Sequence, residues 1–113
     1  MTMYNRGSLL TDLPSSGEDE QFDTVLAHPA ARIERIVSLG HASPPGFWYD
    51  QPEDEWVLLA AGQAELVMAP QGEAETHFLL TAGDWVLIPA HCRHRVEATS
   101  HDAVWLAVHL SSA

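Results

Sequence analysis

Short apolar segments alternate with turn residues along the chain from Gln21 onward. They recur at intervals of roughly eight to twelve residues, which is typical of an all-β sandwich or barrel. No segment keeps a helical period long enough to predict a helix. We predict strands near residues 21–27, 32–39, 46–50, 55–61, 64–69, 74–80, 85–89, 94–98 and 103–110.

The first twenty residues differ from the rest of the chain. They are polar, contain the turn-forming segment Pro14–Gly17 and end in the acidic run Glu18–Glu20. A chain of 113 residues is too short for two ordinary domains. We therefore predict an N-terminal arm over residues 1–20 and one barrel domain over residues 21–113.

Several predicted strands are apolar on both faces. Near residues 103–110, the even-numbered side chains from Val104 to Leu110 and the odd-numbered Trp105 and Ala107 are all apolar. One face can line a barrel interior, whereas the other needs a second sheet or a partner subunit to remove it from water. This pattern favours a homodimer.

The charge balance excludes several classes of function. Sixteen Asp and Glu residues stand against five Arg, lysine is absent, and the formal net charge is -11. Such a chain repels phosphate backbones, so we expect no nucleic-acid partner. Without lysine, Schiff-base chemistry, a phosphate-loop lysine and polybasic membrane anchoring are also excluded.

Cysteine usage and hydropathy indicate the compartment. The single cysteine, Cys92, permits no internal disulfide and no multi-cysteine zinc site. The longest apolar stretch, Trp56–Ala61, is too short to cross a bilayer, and the N-terminus lacks a signal-peptide pattern. We expect a cytoplasmic protein without a membrane partner.

Two glycine-containing motifs carry the candidate chemistry. In the first, Glu55 is followed after six residues by Gly62. In the second, GDWVLIPAHCRH, Gly83 is followed after five residues by Pro89 and then by His94. These motifs resemble the two motifs of the cupin superfamily, G-x5-H-x-H-x3/4-E-x6-G and G-x5-P-x-G-x2-H-x3-N. The resemblance implies an all-β double-stranded β-helix, the cupin or jelly-roll barrel.

The first motif departs from the family pattern. Tyr49 and Gln51 stand where cupins carry two histidines, whereas Glu55 and His94 keep the identity of metal ligands. Cupins with the full motifs bind one divalent metal through three histidines and the glutamate. For this chain the resemblance implies a reduced metal site of Gln51, Glu55 and His94 for iron, manganese or zinc.

Strand geometry gives the same residues independently of the family. Side chains two apart share a face, so Glu55 points inward with Val57 and Leu59. If the hairpins that carry the two motifs face each other, Tyr49, Gln51, Glu55 and His94 converge. The simplest interpretation is a buried Glu55–His94 pair that satisfies its own hydrogen bonds. Four convergent polar groups in a barrel favour a ligand site instead.

As an enzyme, the chain would bind a small molecule and catalyse isomerase- or lyase-like proton transfer. Glu55 and His94 would exchange a proton, and Tyr49 would stabilise an oxyanion or enolate. The alternatives are a metal-free module that binds or senses a small ligand without turnover, and a purely structural dimer.

The remaining histidines are expected to have no role in the site. The group His91, Cys92, His94 and His101 is interpreted as a turn rather than a zinc site, because alternating geometry separates its members. The isolated histidines are interpreted as exposed or internally satisfied: His28, His41, His77 and His109.

Overall fold

The computed structural model describes residues 5–17 and 19–111, and within them it shows eight antiparallel strands and no helix. The strands are β1 (Gln21–His28), β2 (Ala31–Val37), β3 (Asp54–Ala61), β4 (Gln63–Ala69), β5 (Thr76–Thr81), β6 (Trp85–Ile88), β7 (Arg93–Thr99) and β8 (Val104–Leu110). They form a five-stranded sheet of order β1-β2-β8-β3-β6 and a three-stranded sheet of order β5-β4-β7. The all-β jelly-roll prediction is confirmed.

The predicted strand at 46–50 is wrong. Only Tyr49 pairs there, through two main-chain hydrogen bonds with His94: its N–H donates to the His94 carbonyl at 2.8 Å and its carbonyl accepts at 3.1 Å. Gly46 has φ +78, and Pro52 lacks the N–H that a longer ladder requires. The single bridge nevertheless fixes Tyr49 beside β7.

The core lies between the inner faces of the two sheets. Along β3 the inward residues Glu55, Val57 and Leu59 are buried, whereas the residues between them are only half-buried. Trp105 and Ala107 of β8 face the same interior. Each fully buried large apolar side chain stabilises the fold by roughly 1.5–3 kcal/mol, so this packing is the main support of the barrel.

One end of the barrel is closed by the turn at Gly62, between β3 and β4. Gly62 has φ +82, and a Cβ there would lie 2.8 Å from the Cα of Ala103. Both the backbone conformation and the close contact require glycine. The first-motif glycine is therefore explained by packing at the closed end.

The outer face of β3, β6 and β8 is apolar. Trp56 and Trp85 lie side by side, with ring centroids 5.9 Å apart. By strand alternation its apolar residues are Trp56, Leu58, Trp85, Leu87, Leu106, Val108 and Leu110, and the charged Asp54 lies at its edge, opposite Leu110. This is the second apolar face that the sequence indicates for these strands.

The described part of the predicted arm contacts the barrel without forming a strand. Arg35 of β2 donates hydrogen bonds to the carbonyls of Leu9, at 3.4 Å, and Thr11, at 2.8 Å. Residues 1–4 and Glu18 lie outside the described residues. Within residues 5–17 and 19–111, no helix has the length and hydropathy needed to cross a bilayer.

Candidate functional site

A cavity of about 70 Å³ lies between the two sheets. It has room for on the order of five water molecules. Of the thirteen residues that line it, seven are apolar and six are polar. The polar residues are Glu20, Tyr49, Gln51, Glu55, His94 and His109. All four residues that the sequence predicts to converge are therefore in one cavity.

Glu55 and His94 face each other across this cavity. Glu55 belongs to the inward face of β3 and His94 to β7, and their side chains are 8% and 7% exposed. His94 Nε2 lies 3.5 Å from Glu55 Oε1, which is longer than a good hydrogen bond. Glu55 Oε1 is buried and accepts no hydrogen bond from any described residue. The pair therefore does not satisfy itself, contrary to the simplest interpretation of the sequence.

The His94 ring is oriented by its second nitrogen. Nδ1 lies 3.0 Å from the carbonyl oxygen of Cys92. Because a carbonyl can only accept, Nδ1 carries the proton in this contact. Nε2 is therefore free either to exchange a proton with Glu55 or to ligate a metal. In metal-binding histidines a hydrogen bond from the other ring nitrogen usually fixes the ring in this way.

Tyr49 and Gln51 enter the cavity from the segment before β3. The Tyr49 ring stacks on His94, with centroids 5.3 Å apart and planes at 21°. Burial raises the pKa of Tyr49, and the carboxylates of Glu20 and Glu55 raise it further. The phenol thus stays protonated as a hydrogen-bond donor. Gln51 Oε1 is a second buried acceptor without a hydrogen bond from any residue in the described ranges.

His109 is a cavity residue that the sequence interpretation missed. It pairs with Glu55 across β3 and β8 and is 3% exposed. Its Nε2 lies 2.9 Å from Oε1 of Glu34 on β2 and 3.9 Å from Glu55 Oε2. His109 is therefore buried rather than exposed, and it is internally satisfied only at Nε2, because its Nδ1 is buried without a partner among the described residues. The available signal was its odd position in β8, shared with the inward Trp105 and Ala107.

Glu20 is a second missed residue, from the end of the predicted arm. Its Oε2 accepts a 2.7 Å hydrogen bond from the Ser38 hydroxyl, which itself accepts one from Trp105 Nε1 at 3.0 Å. Burial raises the pKa of Glu20, partly offset by the Ser38 hydrogen bond and by His41. The arm thus supplies the cavity with a second carboxylate.

The alternative zinc group is not assembled. His91 has φ +63 and its ring contacts Asp50 at 3.0 Å, on the surface, in keeping with a turn. Burial raises the pKa of the Cys92 thiol, which disfavours the thiolate that a metal requires. Among the described residues, no group of three or more His, Cys, Asp or Glu side chains is placed to hold a metal.

The three metal ligands predicted from the sequence, Gln51, Glu55 and His94, include an amide in place of a histidine. Their donor atoms nevertheless fit a divalent ion. Gln51 and Glu55 each present a buried oxygen without a hydrogen-bond donor in the described chain, and His94 presents Nε2 to the same cavity. Iron, manganese and zinc all accept such mixed nitrogen and oxygen ligands. The unpartnered oxygens are the observation that supports this fit.

No family model matches the chain, and a search of curated proteins finds no match. Solved structures do match it. A protein of Ralstonia eutropha JMP134 named "putative mannose-6-phosphate isomerase" is 44% identical with a TM-score of 0.88, over 96% of this chain and 100% of that one.

Two more distant structures show the same fold. An RmlC-like cupin protein from Desulfovibrio desulfuricans is 16% identical with a TM-score of 0.75, over 96% of this chain and 97% of that one. A cupin superfamily protein from Desulfitobacterium hafniense DCB-2 is 14% identical with a TM-score of 0.74, over 99% and 95%.

Proposed function

This chain belongs to the cupin superfamily, and from that membership we propose that it binds a small molecule in its barrel and transfers a proton on it through Glu55 and His94. The observation that carries the proposal is the buried, unpartnered Glu55 Oε1 beside His94 Nε2. An unsatisfied buried carboxylate oxygen costs roughly 1–3 kcal/mol or more. A bound ligand that donates to this oxygen would remove that cost.

The proposed chemistry is an isomerisation between adjacent carbons. Glu55 takes a proton from the carbon next to a carbonyl group, and the released electron pair forms an enediolate. Tyr49, a protonated phenol in the cavity, donates a hydrogen bond to the developing oxyanion. The hydroxyl group on the carbon that lost its proton passes its own proton to the former carbonyl oxygen, and His94 or the protonated Glu55 returns a proton to the former carbonyl carbon. The name of the 44% identical relative, an isomerase of a sugar phosphate, supports this reaction class.

A divalent metal is the cofactor that this site would hold. Gln51, Glu55 and His94 are its proposed ligands, and the ion would be iron, manganese or zinc. When bound, it would act as a Lewis acid on a substrate oxygen. Since a metal-bound Nε2 cannot also carry a proton, the proton transfer through His94 described above applies to the site without metal. Elemental analysis of protein purified without a histidine tag tests this assignment, with metal present in the unaltered chain and lost on His94→Ala.

The proton transfer is tested with D-glyceraldehyde, a three-carbon aldose small enough for the cavity, in deuterated water. We expect deuterium incorporation and conversion to dihydroxyacetone, followed by NMR. Glu55→Gln should lower the rate by roughly a hundredfold or more, the usual contribution of a general base. Glu97→Gln, a half-exposed carboxylate of β7 outside the cavity, is the matched control. Undiminished exchange in Glu55→Gln rules out the proposed role.

A metal-free binding module is the second candidate. It is favoured by the apolar majority of the cavity lining and by Trp105, which is buried against the cavity. In that case a small ligand would change tryptophan fluorescence without being converted. The same glyceraldehyde experiment separates the two functions, because binding without deuterium incorporation supports the module.

We also propose that two copies of the chain associate through the apolar outer face of β3, β6 and β8. In a two-fold dimer identical faces meet, so like charges at the centre would repel. Between Trp56 and Leu58 on β3 and Leu106 and Val108 on β8 this face carries no charge, although the whole chain carries -11. Light scattering should show a dimer that Leu106→Asp converts to a monomer.

A further inference from the structure

The cavity contains two carboxylates but no lysine or arginine, and the two histidines that line it, His94 and His109, both already face carboxylates. Glu20 and Glu55 line it, and lysine is absent from the whole chain. All five arginines lie in the described part of the chain, and none lines the cavity. Arg6 is exposed in the arm, Arg32 pairs with Glu34 and Glu53, Arg35 with Asp23, Arg93 with the Ala69 carbonyl, and Arg95 with Glu75 and Glu97.

The same cavity has an excess of hydrogen-bond acceptors. Gln51 Oε1 and Glu55 Oε1 are buried, and no donor within the described residues reaches either of them. Glu20 has one donor, Ser38, at one of its two carboxylate oxygens. Buried acceptors of this kind are normally paired. In the metal-free site, the partners of these oxygens are hydrogen-bond donors that come from outside the described chain.

We infer that the ligand of the metal-free site is a small neutral or positively charged molecule bearing hydroxyl or amino groups, and that phosphorylated and carboxylated analogues are excluded from it. This inference rests on the proposed function and specifies its substrate class. A hydroxyl or ammonium group donates to the unpartnered oxygens. Without a bound metal, a phosphate or carboxylate would be desolvated beside Glu20 and Glu55, with no arginine or lysine to pair with and with both lining histidines already facing carboxylates, which is strongly unfavourable.

The size of the cavity further limits which ligands fit. About 70 Å³ suits a ligand portion of only a few non-hydrogen atoms, such as a three-carbon polyol, hydroxycarbonyl or amino alcohol. The apolar lining, including Val57 and Ile88, contacts the carbon skeleton while Gln51 and Glu55 receive its donors. Shape and chemistry thus select a short hydroxylated or aminated chain.

The test uses four probes of similar size and different charge: glycerol, 3-amino-1,2-propanediol, glycerate and glycerol 3-phosphate. Titrations are followed by NMR at the indole N–H of Trp105, which lies in the cavity wall. The protein is first dialysed against EDTA so that no metal ion attracts the anions. At about pH 8 the amine is protonated and both acids are ionised.

We expect the amine to bind at least as tightly as glycerol, and both anions to bind at least about tenfold more weakly, equivalent to about 1.4 kcal/mol. A smaller difference for either anion overturns the inference. Failure of both glycerol and the amine to shift the Trp105 signal overturns it as well.

Two matched variants separate charge from shape. Glu20→Gln keeps the side-chain size and should improve the affinity for glycerate relative to that for glycerol by about threefold or more, because one nearby negative charge is removed. Glu97→Gln, outside the cavity, should change neither. An unchanged affinity for glycerate in Glu20→Gln contradicts the electrostatic basis.

These measurements are independent of turnover. If the charge ranking holds but Glu55→Gln still exchanges deuterium, the ligand class stands and the proton-transfer role fails. If exchange depends on Glu55 but anions bind as well as glycerol, the catalytic role stands and the ligand class fails.

Discussion

The two ends of the inner face of β3 are equally buried and chemically opposite. At the closed end Leu59 is 0% exposed and packs among apolar side chains, and the nearby Ser38 hydroxyl both donates and accepts a hydrogen bond. At the other end Glu55 is 6% exposed, yet one of its carboxylate oxygens has no donor within the described chain. Burial alone therefore does not distinguish the two ends. The two ends differ in whether their buried polar groups have hydrogen-bond partners. We therefore assign fold stability to the closed end and ligand binding to the end with Glu55.

The largest effect should come from the closed end. Leu59→Ala leaves a cavity in a tightly packed region and should lower the free energy of unfolding by about 2–5 kcal/mol. Leu79→Ala is the control, because Leu79 is 80% exposed and exposed positions change stability by less than about 0.5 kcal/mol. Urea denaturation measures both. Similar losses in the two variants would mean that Leu59 does not belong to the supporting core.

Ser38→Ala tests a satisfied polar group at the same end. Removing the hydroxyl leaves Trp105 Nε1 without its acceptor and Glu20 without its donor. We expect a loss of about 1–3 kcal/mol in urea denaturation. Ser16→Ala, on the exposed arm, should be nearly silent. A stability for Ser38→Ala equal to that of the unaltered protein would show that this hydrogen-bonded chain does not hold the arm.

Sequence motifs and strand alternation predict four of the six polar residues that line the cavity and miss two, His109 and Glu20. Glu55 and His94 follow from the motif spacing, and the inward face of β3 follows from the alternation of its side chains. His109 was missed because a single histidine has no local signal, and only the β3–β8 register places it opposite Glu55. Glu20 was missed because its contact, Ser38, lies eighteen positions away and outside any repeating pattern. The catalytic and metal-binding roles of these residues stay predictions.

Gln51→Leu should change the free energy of unfolding in the opposite direction from the substitutions at the closed end. Leucine keeps a similar volume and removes a buried oxygen that has no donor in the described ranges. Stability should stay the same or rise by up to about 1 kcal/mol, while the affinity for glycerol falls. Gln71→Leu, at an exposed turn, controls for added surface hydrophobicity. A clear loss of stability in Gln51→Leu would place Gln51 with the supporting end of the barrel.

The smallest effect concerns Glu20, which lines the cavity and accepts a hydrogen bond from Ser38 near the closed end. It is measured as a change in the free energy of unfolding with pH. Burial raises the pKa of Glu20 above 4.5 in the folded protein, so folding favours its protonated form. This contribution is fully present below pH 4.5 and is lost as the pH rises through the folded pKa. Glu20→Gln should therefore be more stable than the unaltered protein at neutral pH, with an advantage that shrinks on acidification.

Asp23→Asn provides a control of opposite sign for the Glu20 measurement. A hydrogen bond from Arg35 lowers the pKa of Asp23 below 3.8, so its contribution to stability is present above that pH and is lost as the pH falls through the folded pKa. Asp23→Asn should therefore be the less stable protein at neutral pH, and the difference should close in acid. Urea denaturation of both variants from pH 3 to pH 8 compares the two slopes. If the stability difference from the unaltered protein changes with pH in the same direction for both variants, Glu20 is not a desolvated acid. Its assignment as a buried carboxylate of the cavity is then wrong.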